Sequence, residues 1–250
     1  MSGILTGLKV IEISTGTAGP MVGMLLADMG ADVVRIEQPG GDEGRAEISF
    51  KVWNRGKRSA ELDLNQAADL EVVKNLLKGA DIFIDTHETQ NAANWGLDYA
   101  SLAKANPALI QLSITAYGDA PDHQGRPASD ALVAARTGLQ WEQRGFPQGA
   151  VNRMSRLPDP FDELDIPYDQ VQGAPRPGPL FSASRWPSLG AFFAGVVGIN
   201  AALYVRHRTG KGQLVETSLL RGALAGGCAA WLRAEKPDAP MFDTLSLIHI

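Results

Sequence analysis

Residues 8–39 read LKVIEISTGTAGPMVGMLLADMGADVVRIEQP, and the order of the segments in this stretch decides the fold. Two β-branched runs, Leu8–Ile13 and Val33–Ile36, flank an apolar segment with helical spacing. The pattern predicts strand, helix and strand, and a crossover of this length makes the two strands parallel. Pro20 at the start of the helix and Gly30 just past its end agree with the usual positions of these residues.

The turn between the first strand and the helix, Ser14–Pro20, consists mainly of small residues. Such residues let a ligand approach the backbone at a helix N-terminus, where free N–H groups favour phosphate. The turn matches neither the dinucleotide-binding pattern G-x-G-x-x-G nor the P-loop pattern. Two interpretations stay open: a plain connection, or a crevice at the carboxyl end of the strand for a nucleotide-containing ligand bound in another way.

Composition restricts the classes of function. The 250 residues are 44% hydrophobic and 20% charged, which gives ample apolar material for a core. The net charge of −5, with no basic stripe, argues against general nucleic-acid binding. The histidines show no ligand spacing and the single cysteine, Cys228, is predicted to be a buried thiol, so we expect no metal site. Because the N-terminus lacks the features of a signal peptide, we expect a cytoplasmic protein.

Residues 187–205 carry no charge over nearly the length of a membrane-spanning helix. Their glycines and alanines have modest hydrophobicity, and Asn200 interrupts the apolar run. These features favour a helix buried against the sheet over a membrane span. The sequence therefore predicts no membrane partner.

Strands and helices continue to alternate beyond residue 39, which predicts an α/β fold with an open, doubly wound, Rossmann-like parallel sheet. The proline-rich range 141–180 has no period and is predicted to be a functional loop that covers the crevice or wraps another subunit. Three cations within residues 54–58 predict a phosphate-binding loop, with a solvated loop edge as the alternative. The predicted strands are 80–85, 109–114 and 214–217, and the predicted helices are 65–78, 98–105, 128–139, 188–207 and 218–233.

Four groups of segments carry a family resemblance: LKVIEIS with AGP and LLADMGADVVRIEQP, NRGKRSAELDL, ADIFIDTHETQNAANWGLDYASLAKANPALIQLSITAYG, and INAALYVRHRTGKGQLVETSLL. From about Leu5 to Ala225 the chain resembles the family III CoA-transferases, which include formyl-CoA and carnitine-CoA transferases and α-methylacyl-CoA racemases. Members are longer, so the resemblance implies a Rossmann-like CoA-binding large domain at residues 1–225. Residues 226–250 would then begin a truncated linker or second domain. Residues 244–250 are predicted to be foreign sequence, with a final edge strand as the alternative.

The resemblance also implies a reaction. An aspartate attacks an acyl-CoA thioester, which gives a mixed anhydride and free CoA thiolate. The thiolate then attacks the aspartyl carbonyl, which forms an aspartyl-CoA thioester and releases the first acid, and an incoming carboxylic acid takes the CoA. In the racemases a histidine and an aspartate act instead as acid and base. Coenzyme A is thus expected as part of the substrate, with no permanently bound cofactor. The family's interlocked assembly implies a homodimer, or a heterodimer with another family III chain.

The sequence departs from the family at the catalytic positions. Counting back without gaps from residues 206–212, the nucleophilic aspartate position falls on Ser188. A hydroxyl cannot replace a carboxylate without a base, and no histidine or lysine is adjacent to serve. The racemase histidine position falls on Ser129, just before Asp130, which matches an aspartate found in many members. Gln38 and Asn94 stand where members have coenzyme-contacting arginines. The resemblance implies catalytic positions at Ser188 and Asp130 and coenzyme-binding positions at Thr17, Ala18, Gly19, Arg35, Gln38, Leu62, Asp63 and Asp130.

Three functional hypotheses follow. The first is a transferase that moves CoA between an acyl-CoA and a free acid. The second is a catalytically silent half that binds CoA or supports an active copy, which the missing aspartate and the apolar C-terminal end both favour. The third, an acyl-CoA racemase, is disfavoured because Ser129 replaces its histidine.

Overall fold

The structure is a computed structural model, and it describes residues 3–123, 125–142 and 184–227. Several sequence predictions lie outside these residues. They concern most of the proline-rich range 141–180, the Cys228 thiol, the last turn of the helix predicted at 218–233, and the segment 228–250.

The described chain is built on one six-stranded sheet in which every neighbouring pair is parallel. Its strand order is β3-β2-β1-β4-β5-β6, so the chain starts in the middle, runs to one edge, and then returns past its start to the other edge. This order confirms the predicted Rossmann-like α/β fold. The strands are β1 (Lys9–Ile13), β2 (Asp32–Glu37), β3 (Arg58–Glu61), β4 (Ile82–Asp85), β5 (Ile110–Thr115) and β6 (Leu214–Ser218).

Helices connect the strands and cover both faces of the sheet. The first begins with Thr17 as its N-cap, so Pro20 lies in its first turn, where the missing N–H removes no helical hydrogen bond. The helices are α1 (Ala18–Asp28), α2 (Phe50–Trp53), α3 (Ala67–Lys78), α4 (Thr89–Trp95), α5 (Tyr99–Ala105), α6 (Asp130–Arg136), α7 (Leu139–Glu142), α8 (Trp186–Thr209) and α9 (Leu219–Gly226).

Each face of the sheet has its own apolar core, because side chains alternate along a strand. Val10 and Ile84 pack on the face covered by α1 and α8. Ile11 and Phe83 pack on the opposite face, against α3 and the following segments. Near-continuous β-branched strands are therefore explained by burial on both sides.

The sequence pattern of α3 predicts that Leu70, Val72, Val73, Leu76 and Leu77 line one apolar side, and this predicted side is too wide. Val73 and Leu77 are buried in the core, but Val72 and Leu76 are largely exposed. A helix that rests on a sheet buries one stripe, and five apolar residues within eight positions extend beyond that stripe.

Helix α8 is long and apolar enough to cross a membrane by length and composition, with a mean hydropathy of 1.7 over its most apolar window. One of its faces packs on the sheet through Ala191, Ile199 and Ala202. The other face leaves Phe193, Val197 and Tyr204 more than 60% exposed. The predicted burial of this segment therefore holds for one face only.

Candidate active site

A cleft of about 650 Å³ opens at the carboxyl ends of β1 to β4. It includes the point where the strand order reverses, since β1 lies between β2 and β4. Open α/β sheets bind their ligands at such a point. The predicted crevice is therefore present, and its walls include Gly16, Gln38, Leu62, Asp63, His87 and Arg185.

The floor of the cleft contains a buried arginine. Arg35 is 2% exposed, and its guanidinium pairs with the carboxylates of Glu12 and Asp42. Its Nη2 also donates to the Ser14 carbonyl at 2.8 Å. Arg35 thus lines the cleft, as the coenzyme-binding prediction requires, but neighbouring protein groups already neutralise its charge.

Lys57 lies beneath α1 as the second cation of this network. Its side chain is buried, and its Nζ lies 2.8 Å from Glu12 Oε2 and 2.9 Å from the Pro20 carbonyl oxygen. Burial lowers the pKa of Lys57 below its ordinary value of 10.5, and the Glu12 carboxylate opposes this shift. The contact requires Gly23 in α1, because a Cβ there would lie 1.9 Å from Glu12 Oε2.

The predicted phosphate-binding loop at residues 54–58 is wrong. Lys57 is buried in the ion pair with Glu12, while Arg55 and Arg58 pair with Asp28 and Asp32 at exposed positions. None of these three cations lines the cleft. A run of cations looks the same in sequence whether it faces a ligand, solvent or a buried carboxylate.

Glu37 is a carboxylate of the wall whose charge is paired with that of Arg45. It is buried, and it accepts two hydrogen bonds from Arg45, at 2.7 and 2.8 Å, and one from the Asp42 N–H. Burial alone would raise the pKa of Glu37, but the bonds from Arg45 and Asp42 outweigh it and hold the pKa below the ordinary 4.5. The carboxylate therefore stays ionised at neutral pH.

The turn between β1 and α1 contributes other residues to the cleft than the predicted ones. Ser14, Thr15 and Gly16 line the cleft, whereas Thr17, Ala18 and Gly19 are buried. A Cβ at Gly19 would lie 2.6 Å from the Ser14 Cβ and 2.8 Å from the Thr86 Cγ2. The small residues at 18 and 19 thus serve close packing between the ends of β1 and β4.

The two candidate catalytic residues contact each other. Asp130 accepts one hydrogen bond from the Ser188 backbone N–H and another from its hydroxyl, both at 2.8 Å. Ser188 is 2% exposed and lies in the first turn of α8, so Asp130 satisfies a free N–H group at the start of that helix. Neither residue lines the cleft. The hydroxyl of Ser188 donates its hydrogen bond to the Asp130 carboxylate, a partner that sequence reasoning did not place beside it.

Three other positions that the family resemblance singled out are a helix cap and two exposed residues. The Ser129 hydroxyl caps α6 by accepting from the Leu132 N–H at 3.2 Å. Gln38 is an exposed residue of the cleft wall, and Asn94 is exposed on α4 outside the cleft. Within residues 3–123, 125–142 and 184–227, no group of three or more metal-ligating side chains could hold an ion.

Sequence reasoning missed an aspartate–histidine pair. Asp85, buried at the end of β4, accepts from His87 Nδ1 at 2.7 Å and from the His87 backbone N–H at 2.9 Å. The imidazole meets Trp95 edge to face at 5.0 Å, and both rings line the cleft. A carboxylate on Nδ1 orients the ring and leaves Nε2 for another partner. The available signal was the D-x-H pattern directly after a buried strand.

Sequence reasoning also missed Arg185. This residue precedes α8, and its guanidinium donates to Thr17 Oγ1 at 2.5 Å and to Glu47 Oε2 at 3.0 Å. It joins the start of α1 to the loop after a 3-10 helix at Glu43–Ala46, across the opening of the cleft. No local sequence pattern predicts this role of Arg185, because its partner Thr17 lies far away in the sequence.

Known proteins share this architecture. The family described as CoA-transferase family III matches residues 5–159. Succinyl-CoA:mesaconate CoA-transferase of Haloarcula hispanica is 33% identical over 234 residues, 87% of this chain and 52% of that protein. Succinate–glutarate CoA-transferase of Agrobacterium fabrum is 30% identical over 232 residues, 86% of this chain and 51% of that protein. A CAIB/BAIF family protein from Brucella suis has a crystal structure with a TM-score of 0.76 and 28% identity, covering 96% of this chain and 60% of that one. The chain thus spans about half the length of the curated relatives it matches.

Proposed function

The chain belongs to CoA-transferase family III, and from this membership we propose that its cleft binds the coenzyme A portion of an acyl-CoA. The observation that carries the proposal is the cleft of about 650 Å³ at the point where the strand order reverses. Its volume is within the range of small-molecule sites. The whole protein would serve transfer of CoA between an acyl-CoA and a carboxylic acid.

We further propose that this chain holds the coenzyme without supplying the nucleophile. Family chemistry needs a carboxylate at position 188, where the chain has a serine. The serine hydroxyl is buried and bonded to Asp130, so it has no path to a thioester in the cleft. In this proposal the nucleophile comes from another family III chain. The racemase alternative gains nothing from Ser129, whose hydroxyl caps α6.

Asp130 is the second candidate for a nucleophile. It is a carboxylate beside the predicted nucleophile position, and it is only half-buried. Attack by either oxygen of Asp130 would disrupt the hydrogen bond that this oxygen accepts from Ser188 at the start of α8. This cost favours the silent-half hypothesis.

The assembly we propose is a dimer, either of two copies or with another family III chain. The exposed face of α8, formed by Phe193, Val197 and Tyr204, supports this proposal. Contiguous apolar residues on a helix surface are typical of interaction sites.

Coenzyme binding can be tested by titrating coenzyme A into the protein in a calorimeter. Thr15→Trp should fill the opening of the cleft and weaken binding by about tenfold or more, while Asn75→Trp, on the exposed side of α3, should leave it unchanged. Equal affinities for both variants would refute the site.

Catalysis can be tested by following CoA transfer from succinyl-CoA to labelled acids. We expect no transfer by the chain alone. Transfer that Asp130→Asn abolishes and Ser188→Ala preserves would refute the silent-half proposal and establish Asp130 as the nucleophile.

A further inference from the structure

The walls of the cleft are rich in negative charge, although the ligand proposed for it is an anion. Arg45 and Arg35 already pair with Glu37 and Asp42, but Glu43 and Asp63 have no ion pair among the described residues. The phosphates of coenzyme A or the carboxylate of an acid would meet this remaining charge, which a cation at the cleft would offset. The acidic residues of the wall are Glu37, Asp42, Glu43, Glu47 and Asp63.

Arg35 does not fill this role. It is 2% exposed, and its guanidinium already pairs with Glu12 and Asp42. Breaking those pairs would leave uncompensated carboxylates inside the protein, which is strongly unfavourable.

Arg185 has different surroundings. Among the described residues that line the cleft, it is the other guanidinium, and its side chain is 40% exposed. The buried hydroxyl of Thr17 holds Nη1 in place, so the planar head lies fixed at the opening. A fixed guanidinium can donate two parallel hydrogen bonds to a carboxylate or a phosphate.

The partner of Arg185 is easily replaced. Glu47 contacts Nη2 at 3.0 Å, but its side chain is 50% exposed, and the short 3-10 helix before it has no buried residues. Ion pairs between solvent-exposed groups contribute little to stability. An anionic ligand could therefore displace Glu47 while the hydrogen bond to Thr17 remains.

We propose that Arg185 binds an anionic oxygen group of the ligand at the opening of the cleft, and that Glu47 occupies this position until the ligand arrives. The inference rests on the proposed coenzyme site and names the residue that recognises the ligand's charge. The group recognised is a phosphate of coenzyme A or the carboxylate of the acid.

The test compares affinities for coenzyme A and for succinate in four proteins by calorimetry. Arg185→Gln should weaken binding of the ligand that Arg185 recognises by about tenfold, because it removes a charge-assisted hydrogen bond. Glu47→Gln should strengthen binding severalfold, because it removes the competing carboxylate. Arg58→Gln is the matched control, since its pair with Asp32 is also exposed but lies outside the cleft. It should leave the affinity unchanged.

A second titration identifies the group that Arg185 binds. If Arg185 recognises the phosphates of coenzyme A, Arg185→Gln should lower the affinity for coenzyme A and leave the affinity for succinate unchanged. If Arg185 recognises the acid, Arg185→Gln should lower the affinity for succinate and leave the affinity for coenzyme A unchanged. Either result supports the proposal.

Opposite changes in ligand affinity for Arg185→Gln and Glu47→Gln distinguish a ligand site from a structural ion pair. If Glu47→Gln weakens binding of a ligand as much as Arg185→Gln does, or if neither variant changes the affinity for either ligand, the inference is overturned while the coenzyme site stands. If the unaltered chain binds neither coenzyme A nor succinate, the coenzyme site falls as well.

Discussion

Position 23 has no room for a side chain, because a Cβ there would lie 1.9 Å from Glu12 Oε2. Glu12 cannot move aside without losing its contacts with Arg35 and Lys57, both of which are buried. We therefore expect Gly23→Ala to destabilise the protein by about 3 kcal/mol, the upper end for overpacking a core. The free energy of unfolding in urea measures this change.

Gly226→Ala provides the control for Gly23→Ala, since a Cβ at position 226 meets nothing within 4 Å. An alanine in a helix without steric conflict is neutral or stabilising. Equal effects of the two substitutions would show that Gly23 is not constrained by Glu12.

An aspartate at position 188 should be tolerated only if Asp130 is changed as well. The new carboxylate would lie beside that of Asp130, which now accepts from the serine hydroxyl at 2.8 Å. Two like charges at this distance raise the pKa of one of them in the folded protein, so stability is lost as the pH rises through the raised pKa. We expect Ser188→Asp to lower the melting temperature at pH 7 and to recover part of it at pH 5.

Adding Asp130→Asn to Ser188→Asp should restore most of the melting temperature at pH 7, because one of the two charges is gone. If the single Ser188→Asp variant is as stable as the unaltered chain at pH 8, the contact between position 188 and Asp130 is contradicted. The double variant also places a carboxylate at the family's nucleophile position, where CoA transfer can be assayed.

Glu37 should contribute to stability in a defined pH range. Its pKa is held below 4.5 in the folded protein despite burial, since Arg45 and the Asp42 N–H bond to the charged form. A depressed carboxyl pKa stabilises the fold above the unfolded value, and the contribution disappears as the pH falls through the folded value. Glu37→Gln should therefore destabilise the protein at pH 7 and make the unfolding free energy less sensitive to pH below about 4.5.

Urea unfolding between pH 3 and pH 7 measures the Glu37 contribution. Glu71→Gln is a suitable reference, because Glu71 is exposed on α3 and only 4.0 Å from its nearest cation. If the stability difference between Glu37→Gln and the unaltered chain stays constant over this range, the assigned pKa direction is wrong.

At the scale of elements, α8 has two apolar faces with different roles. One face approaches the sheet so closely that a Cβ at Gly195 would lie 3.1 Å from the Leu112 side chain. A second close contact joins α8 to α9, where a Cβ at Gly190 would lie 2.2 Å from the Gly222 carbonyl oxygen. These glycines fix the orientation of α8, and its remaining apolar residues must therefore face away from the sheet.

The exposed face of α8 should control assembly rather than folding. We expect Phe193→Gln with Val197→Gln to change the unfolding free energy by no more than about 0.5 kcal/mol per site, as for other surface positions. The same pair of substitutions should convert the proposed dimer to a monomer in sedimentation velocity.

Two results would contradict this role of α8. One is an unaltered chain that stays monomeric at high concentration, and the other is a variant that unfolds far more easily. Ala225→Gln, at an exposed position of α9, serves as the control for the introduction of glutamine.

At the scale of the whole molecule, the sequence predicts the sheet well and its cleft poorly. The positions of the strands in the sequence follow from local spacing, as at Ile82–Ile84, where burial on both faces requires a continuous apolar run. The chemistry of the cleft depends on distant partners: Glu12 with Lys57, Thr17 with Arg185, and Asp130 with Ser188. No window of sequence contains both members of such a pair.

The aspartate–histidine pair also depends on distant segments. His87 and Asp85 are close in sequence, yet they line a cleft only because β4 ends beside β1 at the edge of the sheet where the cleft lies. Counting histidines along the chain suggested only that they are scattered. Placing them on the parallel sheet would have identified His87 as a group at the carboxyl edge.

The buried network of Glu12, Arg35 and Lys57 has a consequence for how the cleft responds to electrolytes. Dissolved ions screen charges that water reaches, with a Debye length of about 3 Å at 1 M, but they act only weakly on groups inside the protein. The pair between Arg185 and Glu47 at the opening should therefore loosen in concentrated potassium chloride, while the floor keeps its arrangement. The cleft thus has a base insensitive to ionic strength beneath an entrance that is sensitive to it.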